Sequence, residues 1–195
     1  MSREDRRAAI VAATVPLLEQ HGASITTRQI AEAAGVAEGT LFKAFEDKRE
    51  LLMTAAARVF DISAAVTALE ALPRSATLSE EVTATAELLS EAARRIRRTM
   101  LAVHAIAVAD ARREQRPPGP PHPHSARDAQ TRAVEDLIDA LSRRFDPFRD
   151  DLRTSPEVLA RLLLSAVSGR VSPATTEIDF TADQLVDVLL HGALA

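Results

Sequence analysis

Apolar positions recur at helical spacing from the start of the chain. Ile10, Ala13 and Leu17, flanked by Val11 and Leu18, form a stripe that predicts a helix from about Arg3 to about Gln20. His21-Gly22 ends it, and Pro16 inside it removes a backbone donor, which predicts a kink or a looser first half. Short helical signals follow in close succession. Thr26-Thr27-Arg28-Gln29 has the form of a capping box, in which a hydroxyl and an amide satisfy each other's backbone N–H, and it opens a helix through Ala34. Gly35 supplies the left-handed residue that closes this helix and turns the chain. Ala37 to Ala44 reads as a second short helix with Val36, Leu41 and Phe45 toward the core, and Asp47-Lys48-Arg49-Glu50, a further capping box, launches a long helix to about Leu72.

The rest continues in the same period. Pro73 stops the long helix, and Ser79-Glu80-Glu81 reopens helical sequence to about Gln115, with one break expected near Arg97. Leu88, Leu89, Ile96, Met100, Leu101, Val103 and Ile106 are its core candidates. Residues 116–125 hold too many prolines for a helix and predict a loop. Helical signal resumes from about Ala126 to Phe145. Ser155-Pro156-Glu157 then opens one more helix, and the capping box Thr181-Ala182-Asp183-Gln184 opens the last. The fold class expected is all-α.

Composition narrows the chemistry. With no cysteine, disulfides, thiolate metal sites and thiol nucleophiles are excluded. The apolar run Met100 to Ala109 is far shorter than the roughly 20 residues a membrane span needs, so a soluble, cytoplasmic protein without a membrane partner is expected. No activated Ser, Gly-rich phosphate loop or His/Glu metal spacing occurs, which argues against an enzyme and for no cofactor. His122 and His124 in a Pro-rich loop make a poor metal site, and none is expected. The net charge of -4 requires any nucleic-acid contact to be local. The only two lysines, Lys43 and Lys48, fall within or just after the paired short helices.

Two short helices meeting steeply need a very small contact residue and a turn that tolerates a left-handed one; Ala31 and Gly35 supply these. The second helix then exposes Glu38, Gly39, Thr40, Phe42 and Lys43, and its N-terminal end is the part that enters a major groove in a helix-turn-helix. The run from Thr26 to Leu51, with Ala34-Gly35-Val36, Gly39-Thr40-Leu41-Phe42 and Phe45-x-x-Lys48-x-x-Leu51 in order, resembles the signature of the tetracycline-repressor (TetR) family. The resemblance covers about the first quarter of the chain. It implies an N-terminal three-helix headpiece over 1–47 and a C-terminal helical bundle over 48–195 for effector binding and dimerisation. It also implies DNA contacts from Thr27, Arg28, Glu38, Gly39, Thr40, Phe42, Lys43 and Lys48, with Arg3, Arg6 and Arg7 adding contacts from the leading arm. Ala37 and Ala44 depart from the family's usual Ser and His or larger residue, which bears on base preference.

The last two helices are apolar on more than one face, and a soluble monomer rarely leaves such strips in water. A two-fold four-helix bundle between two copies would cover them, with Leu159, Leu162, Leu163, Val167, Leu185 and Leu189 at the interface. The resemblance further implies a pocket among the middle helices, with Phe60, Leu88, Met100 and His104 as candidate lining. Few aromatics, with no Tyr or Trp, point to a small lipophilic effector. The function expected is a ligand-released repressor that binds a pseudo-palindromic double-stranded DNA operator as a homodimer. The competing reading is a helical adaptor or structural bundle without DNA binding.

Overall fold

The computed structural model describes residues 2–114, 124–169 and 181–191. Among them the chain forms nine α-helices, two short 3-10 turns and no strand. The helices are α1 (Arg3–His21), α2 (Thr27–Ala34), α3 (Glu38–Ala44), α4 (Lys48–Val59), α5 (Ser63–Ala71), α6 (Leu78–Glu114), α7 (His124–Phe145), α8 (Pro156–Ser168) and α9 (Ala182–His191). No single one is long and apolar enough to cross a membrane. They divide into two compact units. The first holds the described residues of Met1–Phe60 and Arg95–Pro120; the second holds those of Asp61–Arg94 and Pro121–Ala195. The sequence at 116–125 was expected to be a loop; its positions up to 123 lie outside the described residues, and α7 already begins at His124.

The first unit packs α1 against α2 and α4, and α2 against α3. Its core joins Ile10, Val11 and Leu18 to Ile25, Ile30, Ala31, Leu41, Phe45, Leu51, Leu52, Ala55 and Ala56, with Ala102 of α6. The buried face of α1 is turned from the expected stripe. Thr14 is buried where Ala13 and Leu17 are only half-buried, because the Thr14 hydroxyl donates to the Ile10 carbonyl at 2.7 Å and so satisfies itself within the helix. The helix runs on through Pro16. Its start carries a capping box between Ser2 and Asp5.

The helix expected from Lys48 to Leu72 is two helices. It ends at Val59, and Asp61 starts α5 by accepting from the Ser63 N–H at 3.0 Å and the Ser63 hydroxyl at 2.7 Å. A short acid beside a serine competes for backbone donors, and here it opens a second helix. Conversely, α6 is unbroken through Arg97. It is started by Thr77 and Glu80, which bond each other's backbone N–H groups.

The second unit gathers Leu69 of α5, Val82, Ala86, Leu89 and Ala93 of α6, Leu137, Ile138, Leu141 and Phe145 of α7, and the inner faces of α8 and α9. Ser155 caps α8, and Thr181 with Gln184 caps α9, as their sequences predict. Of the six interface candidates, Leu159, Leu163, Val167 and Leu185 are buried in the chain's own core and Leu189 is half-buried. Apolar periodicity on a helix with more than one apolar face does not say which face turns inward. The face of α8 and α9 left open is Val158, Leu162 and Val188, with Leu162 51% exposed.

Candidate nucleic-acid interface

The helix-turn-helix is built from local instructions. Thr26 accepts from the Gln29 N–H at 3.2 Å while the Gln29 side chain accepts from the Thr26 N–H at 2.8 Å, so α2 starts where the capping box predicts. Ile30 and Ala31 face inward. Gly35 closes the helix at φ 64, ψ 32, and the following N–H of Val36 donates to the Ala31 carbonyl at 3.0 Å. A Cβ on Gly35 would meet nothing within 4 Å. The backbone conformation alone therefore sets its tolerance, and Gly35→Ala is expected to lower stability by about 1–2 kcal/mol in denaturant titration.

Between Gly35 and α3 the chain is extended at Ala37, whose methyl provides no side-chain cap. A link from outside α3 stands there instead: the Thr27 hydroxyl donates to the Glu38 carboxylate, tying the first residue of α2 to the first residue of α3. Leu41 and Ala44 of α3 are buried; Glu38, Gly39, Phe42 and Lys43 are exposed and Thr40 is half-exposed. Phe42 keeps 51% of its surface in water, unusual for a large aromatic on a seven-residue helix with a packed inner face. The expected group on α3 thus lies together on one short exposed surface.

The flanking cations divide. Arg28 is largely exposed and pairs with Glu32 one turn on at 3.0 Å. Lys48 is half-buried, and its ammonium donates to the Ala23 carbonyl at 3.2 Å; burial holds its pKa below the usual lysine value. That bond takes one of its three N–H donors. Arg3 and Arg6 are exposed. Arg7, expected on the leading arm, turns inward: it donates to the Ala44 carbonyl at 2.5 Å and to Glu50 at 2.6 Å, with its guanidinium 4.0 Å above the Phe45 ring. The Arg7 hydrogen bond, helped by the Glu46 N–H, holds the Glu50 carboxyl below the ordinary carboxylate range. Sequence reasoning missed this because the partners lie 37 and 43 residues away from Arg7.

The four effector-pocket candidates fall in different units. Phe60 borders the core of the first unit and Leu88 that of the second, while Met100 and His104, both in the first, are exposed. In the second unit a groove of about 370 Å³ lies between α5 and α7, lined by Ser63, Val66, Thr67, Ala133, Asp136, Asp139 and Arg143. It contains none of the four. Among the described residues no group of His, Asp and Glu is placed to hold a metal ion.

Residues 10–55 match the family model for bacterial regulatory proteins of the tetR family. The whole chain is similar to a transcriptional regulator from Rhodococcus sp. Rha1, at 19% identity over 98% of this chain and 95% of that one, with a TM-score of 0.52. It is similar to a bacterial regulatory protein in the tetR family from Rhodococcus RHA1, at 15% identity over 98% and 97% of the two chains, with a TM-score of 0.51. It is also similar to NalD, the secondary repressor of the MexAB-OprM multidrug efflux pump in Pseudomonas aeruginosa, at 21% identity over 97% and 95%, with a TM-score of 0.44. The two Rhodococcus likenesses show an all-helical fold shared along nearly the whole length.

Proposed function

We propose that the chain, whose residues 10–55 match the family model for bacterial regulatory proteins of the tetR family, is a ligand-released repressor that holds a pseudo-palindromic operator as a homodimer. The observation that carries the reading is the exposed outer surface of α3. Glu38, Gly39, Thr40, Phe42 and Lys43 stand together on the second helix of the pair, a helix of the size that enters a major groove.

Thr27, Arg28 and Lys48 flank that surface. In this reading Arg28 and Lys43 meet bases or phosphates, Phe42 and Thr40 meet the sugar-phosphate edge or a thymine methyl, and Lys48 neutralises a phosphate. Dimerisation rests on the open face of Val158, Leu162 and Val188, apolar side chains that a second copy's α8 and α9 would cover in a four-helix arrangement. Two headpieces related by such an axis would read half-sites one helical turn apart. Release follows if a small lipophilic ligand binds the DNA-incompetent arrangement better than the competent one.

The test is binding of the full chain to duplexes selected from random DNA, read by fluorescence anisotropy from about 50 to 200 mM salt. Sequence-specific affinity that falls with salt is expected; its absence would leave a helical bundle that does not engage DNA. Lys43→Ala is expected to weaken binding about tenfold. It should also flatten the salt dependence by about one counterion, since a lysine at a phosphate releases about 0.9 ions.

A further inference from the structure

Seven residues are too few for a helix to persist in water without tertiary support, because nucleation fixes several residues for a single hydrogen bond. Helix α3 lacks a side-chain cap of its own at its start and, like every helix, leaves its last carbonyls without intrahelical donors. Its geometry must therefore come from outside. At its start the donor is Thr27 of α2. At its end two arginines of α1 donate: Arg3 reaches the Lys43 carbonyl at a long 3.5 Å, and Arg7 makes the close contact.

The Arg7 guanidinium meets three groups at once. One nitrogen donates to the carbonyl of Ala44, the last residue of α3, at 2.5 Å; another donates to Glu50, in the first turn of α4, at 2.6 Å; and the plane lies 4.0 Å over the ring of Phe45, which separates the two helices. The second carboxylate oxygen of Glu50 accepts from the Glu46 N–H at 2.6 Å, fixing the junction from the other side. A cation at the negative end of a helix is favourable, and a planar fork suits this split target better than an ammonium does. The Glu50 carboxylate also neutralises the charge that an outward-facing arginine would offer a phosphate.

We propose that Arg7 is a positioning residue for DNA recognition: clasped between Ala44, Phe45 and Glu50, it fixes the angle of α3 and so sets operator affinity without itself touching DNA. The inference rests on the DNA-binding reading above. Without the clasp α3 would sample orientations that do not fit a groove, and the apparent Kd would rise as the inverse of the fraction that still fits.

The test uses the full chain and a duplex selected by the unaltered protein. Failure of the unaltered protein to bind any duplex would remove the DNA-binding reading; given that binding, the variants judge the clasp alone. Arg7→Ala is expected to bind about tenfold more weakly, with the slope of log K against log salt unchanged. Arg7→Lys, which keeps the ion pair but not the fork, should recover part of the loss. A slope shallower by about 0.9 would show that Arg7 meets a phosphate and would overturn the proposal, as would unchanged affinity. Should far-ultraviolet circular dichroism show Arg7→Ala unfolded, Glu50→Gln takes its place. A several-fold loss at constant slope supports the clasp, whereas unchanged or tighter binding, an arginine released to the phosphates, overturns it.

Discussion

Arg144→Ala should cost about 3–5 kcal/mol of stability, the range found when one partner of a buried ion pair is removed. Arg144 is 3% exposed and Glu81 fully buried, and their Nε and Oε1 atoms stand 2.5 Å apart. The same guanidinium donates to the carbonyls of Leu69 at 2.8 Å, Leu72 at 2.9 Å and Pro73 at 2.9 Å, which are the loose ends of α5. The other Glu81 oxygen accepts from the Ser75 N–H at 2.8 Å. Truncation would therefore leave a buried carboxylate without its close counter-charge and take a donor from each of three carbonyls, of which only that of Leu69 keeps a backbone partner, the Leu72 N–H at 3.2 Å. Arg74 is 3.6 Å from Glu81 but largely exposed, so it compensates weakly.

Against a total of about 5–15 kcal/mol for an ordinary domain, such a loss brings the second unit close to unfolding at ambient temperature. Urea titration of the variant measures it. The double variant Arg144→Met with Glu81→Leu should lose less than Arg144→Ala alone although it removes more polar atoms, because no charge is left stranded. A loss below about 1 kcal/mol for Arg144→Ala would mean that water reaches the pair and that α5 ends are held otherwise.

This network also marks where sequence reading runs out. Caps are legible because partners lie three residues apart: Thr26 with Gln29, Ser155 with the Val158 N–H and Thr181 with Gln184 all form as their spacing requires. The turn at Gly35 is legible for the same reason, since a positive φ is a local demand on one residue. Arg144 finds its carbonyls 71 to 75 residues away, and nothing in the local pattern separates it from Arg143, whose side chain is 64% exposed. The division of the helix near Phe60 was hidden because Asp61-Ile62-Ser63 keeps the apolar period while Asp61 captures the backbone donor. Thr14 and Thr85 lie on buried faces that polarity alone assigns to solvent. In the candidate interface, the surface of α3 was readable from its motif, but the ties that hold it, Thr27 to Glu38, Arg7 to Ala44 and Arg3 to Lys43, join separate helices and were not.

Gly39 carries the sharpest test of that surface, because two measurements should move in opposite directions. Glycine within a helix is disfavoured relative to alanine by up to about 1 kcal/mol, less in the first turn where Gly39 stands, and a helix of seven residues has little to offset it. Nothing among the described residues requires it: the positive-φ glycines there are Gly22 and Gly35, and a Cβ at Gly39 would meet nothing within 4 Å. In the proposed interface its lack of a side chain would let DNA approach closely at the end of α3 that enters the groove. Gly39→Leu is therefore expected to raise the thermal midpoint while weakening operator binding about hundredfold, equivalent to about 2.7 kcal/mol. Circular dichroism melts and anisotropy titrations at one fixed salt concentration read the two effects separately, the salt being held because phosphate contacts make affinity depend on it. A leucine variant that melts higher yet binds its operator as tightly as before would turn the start of α3 away from the DNA and remove the orientation on which the whole interface is drawn.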